Sequence, residues 1–410
     1  MEVKQGYKQT EVGVIPEDWE VKRIGELIYN VEYGSSSKSL TEGKIPVLRM
    51  GNIQTGRIVW ENLVYTNEEL EIGKYLLRKD DILFNRTNTA ELVGKTAIYT
   101  GEYPAIFAGY LIRINVNKNL LNPHYLNYFL NTEPAKKHSR LVLSIAVGQA
   151  NINGEKLKKY PIPLPPTLTE QTAIANVLSD TDALIQSLEK LISKKQQIKQ
   201  GTMQALLTGR KRLPGFEGEW ETKTLGEIGE CIIGLTYKPS EVTISGVLVL
   251  RSSNILNMKL VYQDNVFVNK PIPDKLIAKS KDILICVRNG SKELIGKCAL
   301  IKGAAINQTF GAFMAIYRSP FNRFIFYLFQ SNTIKKQIEE HIGATINQIT
   351  NKSLNSFEIP FPKENEQTAI ANVLSDLDAE IEALETKLEK VKLLKQGMMQ
   401  QLLTGAIRLV

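Results

Sequence analysis

The chain has 410 residues, of which 43% are apolar and 23% are charged, and it contains no low-complexity tract. This composition excludes a disordered or fibrous protein, and the length predicts two to three domains that each bury a core. The formal net charge of +8 favours a polyanionic partner such as nucleic acid.

The location of the protein is predicted from two features that the sequence lacks. The first residues contain no apolar segment of a signal peptide. No apolar run reaches the length of about 18 residues that a membrane-spanning helix needs. We therefore expect a cytoplasmic protein.

Residues 1–166 are predicted to form the first domain, an α+β unit with a twisted β-sheet. Its predicted strands are short, apolar and β-branched segments bounded by Gly, Asn or Asp. These segments are 45–50, 81–86, 95–100 and 105–114. The pattern becomes helical around residues 124–141, which indicates that few helices accompany the sheet.

Polar residues at the predicted strand ends and loops of this domain suit contacts to DNA. Arginine can bond guanine, asparagine and glutamine can bond adenine, and lysine or serine can hold phosphates. The candidates are Ser36, Lys38, Arg49, Asn52, Arg86, Asn88, Lys95, Gln149 and Asn151, with Ser35 and Ser37 beside them. For any single residue a solvated loop position or a surface ion pair is the more common role, so the prediction depends on the whole set.

Residues 167–213 are predicted to contain the first of two long spacer helices. The stretch from Thr169 to Thr208 has no proline and is rich in helix-forming residues. Thr167 and Glu170 have the spacing of a capping box, in which each side chain bonds a backbone amide of the other. Gly209 can adopt the left-handed conformation that ends a helix.

Residues 214–363 are predicted to form a second domain of the same fold, with the same kinds of DNA-contacting residue. The candidates are Tyr237, Lys238, Arg251, Asn254, Arg288, Asn289, Lys292, Lys297, Asn347 and Gln348. Arg251 and Asn254 match Arg49 and Asn52 of the first domain, and Arg288 is aligned with Arg86. We assign the matching residues to phosphate contacts or to the framework, and the non-matching loops to base recognition.

Residues 364–410 are predicted to form the second spacer helix, which repeats the first. Glu170–Asp180 recurs letter for letter as Glu366–Asp376, and 28 of 45 residues are identical when 170–214 is aligned with 366–410. A period of about 196 residues is far too long for a solenoid repeat, whose units have roughly 20 to 50 residues. The chain therefore contains two copies of one repeat unit. The domains of the two copies have diverged in sequence, whereas their long helices have stayed similar.

Both helices carry an apolar seam with heptad spacing. The seam of the second helix consists of Leu374, Leu377, Ile381, Leu384, Leu388 and Val391. The first helix has Leu178, Ile185, Leu188 and Ile192 at equivalent positions, with polar Thr181 and Lys195 completing the register. Either seam could pack on its own domain, but two matching seams favour pairing with each other. We predict an antiparallel coiled coil that joins the two domains and gives the chain a pseudo-twofold internal repeat.

The sequence contains no signature of a catalytic or metal site. It has no Walker loop, no GxGxxG turn and no Asn-Pro-Pro-aromatic motif of an amino-methyltransferase. Cys231, Cys286 and Cys298 form no CxxC pair, and the three histidines are scattered. We expect that this chain is not an enzyme and holds no cofactor or metal.

Several motifs together resemble the specificity subunit of type I restriction-modification systems. They are Gly6–Thr10 leading to Ile15–Glu20, Ile162–Pro166 before Glu170 and Gln171, and Leu206–Gly209 before Arg212–Phe216. The likeness covers nearly the whole chain, and the doubled arrangement makes it more specific than any single motif. The resemblance implies two target recognition domains that each recognise one half of a split, asymmetric site in double-stranded DNA.

The resemblance also implies a role for the helices, and it implies partners. The helix pair would set the gap between half-sites, and two adenine methyltransferase subunits would dock on it. Restriction and translocase subunits would join that complex. S-adenosylmethionine, ATP and Mg would be cofactors of these partners, with none in this chain.

Two other functions stay open from the residues alone. One is a coiled-coil adaptor whose two domains bind other proteins, with the positive charge incidental. The other is a stand-alone nuclease or methyltransferase, which the missing motifs disfavour.

For a DNA-recognition subunit the spacing of the half-sites can be predicted. If both domains face the same side of a duplex, their half-sites would be centred about 34–36 Å apart, which corresponds to an unread gap of roughly 5 to 8 base pairs.

Overall fold

The structure, a computed structural model, describes residues 4–146, 149–342 and 347–409. It divides into a first unit, residues 1–189 with 386–410, and a second unit, residues 190–385. Both boundaries fall inside long helices, so each unit contains the start of one long helix and the end of the other. This mixed α/β architecture, with two repeated units linked through long helices, confirms the predicted fold class.

The first unit is built on short strands. They are β1 (Tyr7–Thr10), β2 (Gly13–Pro16), β3 (Glu20–Arg23), β4 (Ile28–Tyr33), β5 (Ile45–Leu48), β6 (Ile53–Gln54), β7 (Gly56–Ile58), β8 (Val64–Thr66), β9 (Ile82–Asn85), β10 (Thr87–Asn88), β11 (Thr96–Ile98), β12 (Ile106–Phe107), β13 (Leu111–Val116), β14 (Ser144–Ala146), β15 (Gln149–Asn151) and β16 (Pro161–Leu164). Its helices are α1 (Glu69–Tyr75), α2 (Pro123–Leu130), α3 (Glu133–Val142), α4 (Gly154–Lys158) and α5 (Leu168–Leu206), the last continuing into the second unit.

The main sheet of the first unit has six strands in the order β4-β13-β9-β11-β7-β6, in which only the β11–β7 pairing is parallel. A second sheet has the order β12-β5-β8. Every residue of β9 is buried because side chains cover both faces of this strand. Its first three residues, Ile-Leu-Phe, accordingly form a continuous apolar run rather than an alternating pattern, and the buried fourth residue is Asn85.

The predicted strand at 105–114 is wrong in one respect: it is two strands separated by a tight turn. The amide of Leu111 donates to the carbonyl of Ala108 at 2.9 Å, and Gly109 and Tyr110 lie between them. The apolar residues on both sides hide this turn in the sequence. The predicted helical region at 124–141 is likewise two helices, α2 and α3.

The second unit repeats the plan. Its strands are β17 (Glu221–Thr224), β18 (Glu230–Ile233), β19 (Val242–Thr243), β20 (Val247–Leu250), β21 (Ile255–Leu256), β22 (Lys259–Leu260), β23 (Phe267–Val268), β24 (Ile283–Cys286), β25 (Cys298–Leu300), β26 (Thr309–Phe310), β27 (Met314–Arg318) and β28 (Glu358–Phe361). Its helices are α6 (Leu225–Ile228), α7 (Asn322–Gln330), α8 (Asn332–His341), α9 (Asn351–Asn355) and α10 (Glu364–Leu402), the last continuing into the first unit. Its main sheet has the order β18-β27-β24-β25 and its second sheet the order β19-β23-β20-β26.

The core of each unit includes both long helices. In the first unit Ile174 and Leu178 of α5 share an apolar cluster with Leu402 and Leu403 at the end of α10. In the second unit the equivalent cluster combines Ile370 and Leu374 of α10 with Met203 and Leu206 of α5, and with Leu207 just after that helix. The helix ends are therefore part of each core, and burial of their apolar side chains stabilises the pairing.

The start of α5 differs in part from the predicted capping box. Thr167 accepts a hydrogen bond from the amide of Glu170 at 3.2 Å, as expected. The Glu170 carboxylate, however, binds the guanidinium of Arg408 instead of the backbone of Thr167. At the other end Gly209 and Gly405 have φ of +67° and +69°, which confirms the predicted left-handed glycines after the helices.

The two long helices are antiparallel within each unit, as predicted. In the first unit Asp182 and Glu189 of α5 bind Lys395 and Lys392 of α10, so residue numbers rise along one helix as they fall along the other. In the second unit Lys195 and Lys199 of α5 bind Glu380 and Asp378 of α10, each at 2.6 Å. The polar seam residue Lys195 is thus accommodated by an acidic partner.

The predicted seam residues differ in burial. Seven are buried: Leu178, Ile185, Leu188, Ile192, Leu374, Ile381 and Leu388. The other three, Leu377, Leu384 and Val391, are half-buried. Both helices contain a glycine at matching sites, Gly201 and Gly397, and neither marks a close approach, because apart from the neighbouring backbone of its own helix no described atom lies within 4 Å of a Cβ built there.

No helix within the described residues is both long enough and apolar enough to span a bilayer.

Candidate nucleic-acid interface

The loop after β4 lies against the turn between β12 and β13. The amide of Gly109 donates to the carbonyl of Ser35 at 2.6 Å, which places exposed Ser36 and Lys38 beside this turn. A Cβ on Gly34 would lie only 2.3 Å from the carbonyl oxygen of Phe107, so glycine is required for this close approach. The predicted residues of this loop are therefore held at the same surface as Tyr110.

A second group of predicted residues meets where β10 pairs with β15. Thr87 is opposite Asn151, and the Asn151 amide donates to the Thr87 hydroxyl at 2.7 Å. Gln149 is exposed and Asn88 is half-buried. The guanidinium of Arg86 lies over the Tyr33 ring, 4.7 Å from its centroid, and donates to the Gly109 carbonyl at 3.4 Å. The hydrogen bond to Gly109 connects this group to the turn at Tyr110.

The second unit has an equivalent surface. Leu235 bridges to Gly311, and Gly234 makes the same close approach as Gly34, since a Cβ on Gly234 would lie 2.3 Å from the Gly311 carbonyl oxygen. Tyr237 and exposed Lys238 continue this loop.

Four predicted residues of the second unit form one connected group. Arg288 bridges to Gln348, and the amide of Asn289 donates to the carbonyl of Asn347 at 3.2 Å. The Asn289 side chain donates to the Ser252 hydroxyl at 3.2 Å, which connects the group to the turn that contains Asn254. Lys292 is exposed in the short 3-10 helix Lys292–Leu294.

The structure corrects the alignment of Arg86 with Arg288. The carbonyl of Arg86 accepts from the amide of Ile152 at 2.9 Å, and in the second unit the carbonyl of Val287 accepts the matching bond from Ile349 at 2.9 Å. Arg86 is therefore equivalent to Val287, and Arg288 to Thr87. The two arginines therefore occupy neighbouring rather than equivalent positions of the common backbone. The two units thus present different side chains on a common backbone.

The structure also corrects the predicted DNA-contacting role of Asn52 and Asn254. Both are buried, and each accepts a bond at 2.9 Å from the amide three residues earlier, of Arg49 or Arg251. The Asn52 amide group also donates to the carbonyls of Val59 and Glu61. These side chains fold the turn and have no donor or acceptor to offer a base.

Replacing Asn254 by Ala should therefore reduce stability without changing DNA sequence preference. The substitution leaves the amide of Arg251 and the carbonyl of Val261 without their buried partner. We expect the free energy of unfolding to fall by about 1–3 kcal/mol, measured by urea denaturation. Asn269→Ala, at an exposed position of the same unit, is the matched control and should change it little. An altered base preference with unchanged stability would restore Asn254 as a DNA-contacting residue.

The remaining basic candidates lie around these turns. Arg49 is exposed and donates to the Asn62 carbonyl at 2.8 Å, and half-buried Arg251 pairs with Asp264 at 2.8 Å. Lys95 donates to the Gln54 side chain at 3.2 Å, and Lys297 to the Ser252 carbonyl at 3.1 Å. These four residues form two matching pairs, Arg49 with Arg251 and Lys95 with Lys297, and a residue shared by both units suits a contact that does not depend on DNA sequence, such as one to phosphate.

Three aromatic side chains at this surface were not predicted. Tyr33, Tyr110 and Phe313 are 43%, 54% and 56% exposed. Tyr110 was hidden inside a segment predicted as one strand. Gly109 in the middle of that apolar run was the available signal for a turn.

The cysteines are unsuited to nucleophilic chemistry. Burial raises the pKa of Cys231 and of Cys298 to about 12 and also raises the pKa of Cys286, because a buried thiolate loses its hydration. Among residues 4–146, 149–342 and 347–409, no group of three or more His, Cys, Asp or Glu side chains is arranged to hold a metal ion.

Comparison with known proteins identifies the family. The model of the type I restriction modification DNA specificity domain matches the chain twice, at residues 16–200 and 217–393. The chain belongs to the type I restriction-modification specificity family. A specificity subunit of this family is a DNA-recognition component and not itself an enzyme, and the two matches correspond to the repeat found in the sequence.

Relatives of this specificity subunit match nearly all of it or about half of it. The putative type I restriction enzyme MjaX specificity subunit of Methanocaldococcus jannaschii is 32% identical over 99% of this chain and 97% of the relative. The EcoKI specificity subunit of Escherichia coli is 29% identical over 46% of this chain and 42% of the relative. The crystal structure of the S subunit from M. genitalium has a TM-score of 0.62 at 17% identity, covering 98% of both chains, and shares the fold. A chain from a structure on complex assembly and conformational transition of the type I system has a TM-score of 0.56 at 17% identity, covering 96% of this chain and 99% of that one.

Proposed function

We propose that this specificity subunit recognises a bipartite, asymmetric site in double-stranded DNA, with one recognition domain for each half-site. Residues 1–166 and 214–363 are the two domains, and the helices within 167–213 and 364–410 set the gap between the half-sites. The proposal implies that the protein acts in the cytoplasm.

One observation carries this proposal: the two units share a backbone plan but differ in the side chains exposed on it. The loop after β4 has Ser36 and Ser37 where its equivalent has Thr236 and Tyr237, although Lys38 and Lys238 match. The one-residue shift that separates Arg86 from Arg288 adds a further difference. Two domains of one fold with different exposed donors and acceptors are suited to two different base sequences, so the combined site would be asymmetric.

The helices suit the role of a spacer. Each has 39 residues without a break, which corresponds to about 58 Å of helix at 1.5 Å per residue. Salt bridges between the two helices in both units, and the burial of seven seam residues, oppose sliding of one helix along the other. A spacer with a fixed register gives a fixed gap.

The partners follow from the family. Two adenine methyltransferase subunits dock on this chain in our proposal, and restriction and translocase subunits join the complex. S-adenosylmethionine, ATP and Mg are then cofactors of those subunits, and none is assigned to this chain. A DNA-recognition family also disfavours the alternative of an adaptor that binds only proteins.

An exchange of one domain tests the proposal. Residues 1–166 are replaced by the corresponding residues of a relative that recognises another site, and methylated adenines are mapped in cells that also contain the partner methyltransferase. We expect one half-site to change while the other half-site and the gap stay the same. Exchange of residues 214–363 is the matched control and should change only the other half-site. A single domain exchange that alters both half-sites would contradict one domain per half-site.

A further inference from the structure

The guanidinium of Arg288 in the second unit is stacked on an exposed aromatic ring. Its central carbon lies 4.9 Å from the centroid of the Phe313 ring, and Phe313 is 56% exposed. A planar guanidinium that stacks on an aromatic face keeps its N–H groups at its edge, where they point away from the ring. The contact with the Phe313 ring therefore leaves the N–H donors of Arg288 unused.

The backbone around Arg288 is held on three sides. Its amide donates to the carbonyl of Phe313 at 3.1 Å, and the residue bridges to Gln348. The next residue, Asn289, is fixed by its bonds to Asn347 and to Ser252. An arginine with a fixed backbone and a stacked side chain loses little conformational entropy when it binds a ligand.

The donors of Arg288 are available for a ligand. Within the parts of the chain that the structure describes, its guanidinium makes no hydrogen bond and no ion pair. Two other arginines of the same unit differ in this respect, because Arg251 pairs with Asp264 and Arg318 with Asp282. Arg86 of the first unit is stacked on Tyr33 but also donates to a carbonyl, so Arg288 is the clearer case.

We propose that Arg288 recognises one guanine in the half-site of the second domain and that Phe313 is its positioning residue. The proposal rests on the proposed function, because it requires the second domain to bind duplex DNA. A guanidinium held in one plane can donate two parallel bonds to O6 and N7 of guanine in the major groove, a pattern that no other base offers.

The test uses the purified full chain, in complex with any subunits that co-purify, and a library of duplexes with randomised bases. Arg288→Lys keeps the positive charge but removes the planar pair of donors. We expect it to lose its preference for guanine at one position of one half-site by about 5- to 100-fold, with the other half-site unchanged. Arg323→Lys is the matched control, because Arg323 is an exposed arginine of the same unit that donates to Asn372, and it should change no position.

Phe313 variants test the positioning role separately. Phe313→Ala should weaken the preference for the same guanine, whereas Phe313→Tyr keeps the ring and should retain it. If Phe313→Ala fails to fold, the guanine preferences of Phe313→Tyr and Arg288→Lys are compared instead. Phe313→Tyr should keep the preference and Arg288→Lys should lose it. Loss of the guanine preference in Phe313→Tyr would overturn the positioning role.

The remaining outcomes separate this proposal from the proposed function. Uniformly weaker binding of Arg288→Lys to every sequence, with a flatter salt dependence, would make Arg288 a phosphate contact and overturn the proposal. Unchanged sequence preference in Arg288→Lys would overturn it as well. Failure of the unaltered chain to enrich any sequence would instead contradict the proposed function.

Discussion

An Asp182→Ala chain should lose about 3–5 kcal/mol of the free energy of unfolding. Asp182 is 8% exposed and accepts from three partners. These are the ammonium of Lys395 at 2.8 Å, the guanidinium of Arg57 at 3.1 Å and the hydroxyl of Tyr128 at 2.9 Å. Removing the carboxylate leaves two buried or half-buried cations without their counter-ion.

The repeat supplies a comparison for this effect. Asp378 is the equivalent of Asp182 in the second unit and binds Lys199 and Tyr327, but its side chain is 37% exposed. The cation at the position of Arg57 is Lys259, which pairs with Glu382 and Glu385 instead. Because water can replace part of the lost interaction, Asp378→Ala should cost less than Asp182→Ala.

Urea denaturation of the full chain, followed by circular dichroism, measures both variants. Asp180→Ala is the control, because Asp180 is an exposed carboxylate of the same helix only two residues away. It should lie within about 0.5 kcal/mol of the unaltered chain. If Asp182→Ala were no more destabilising than Asp378→Ala, the three-partner network would not be a main source of stability in the helix pair.

Local features of the fold were predictable from sequence because neighbouring residues determine them. The glycines after both helices and the heptad seams are patterns within one element, and the structure has them where the sequence places them. The copied helices also made the internal repeat visible. The antiparallel direction of the helix pair was predictable because each helix follows one of two domains that are related by the internal repeat.

Features that depend on distant residues were not predictable. Glu170 was expected to cap its own helix, but it binds Arg408, which is 238 residues away in the sequence. Asn52 was expected at DNA because it is polar and lies in a loop, whereas tertiary packing buries it within the turn. The shift between Arg86 and Arg288 depends on strand pairing, and a shift of one residue leaves almost no trace in a divergent sequence.

The second large effect concerns the length of the helices. Four helix-forming residues inserted after Glu189 and four after Lys387 lengthen both helices near the boundary between the two units. The insertions add about 6 Å of helix, slightly more than one turn, while the ion pairs within each unit keep their partners. Because neighbouring base pairs are about 3.4 Å apart, the gap between the half-sites should grow by one or two base pairs. Both half-site sequences should stay the same, since no residue of either domain is changed.

A matched control places the same four residues where they should have no such effect. An insertion after Glu217, in the exposed segment between α5 and β17, leaves both helices at their original length. That variant should methylate the same sites as the unaltered chain. It thereby separates the effect of helix length from a general effect of insertion.

Mapping methylated adenines in cells that contain the lengthened chain and its partner methyltransferase tests the spacer most directly. We predict the two original half-sites, separated by one or two additional base pairs. An unchanged gap, or an altered half-site sequence, would contradict the conclusion that the helix pair sets the distance between two independently recognised half-sites.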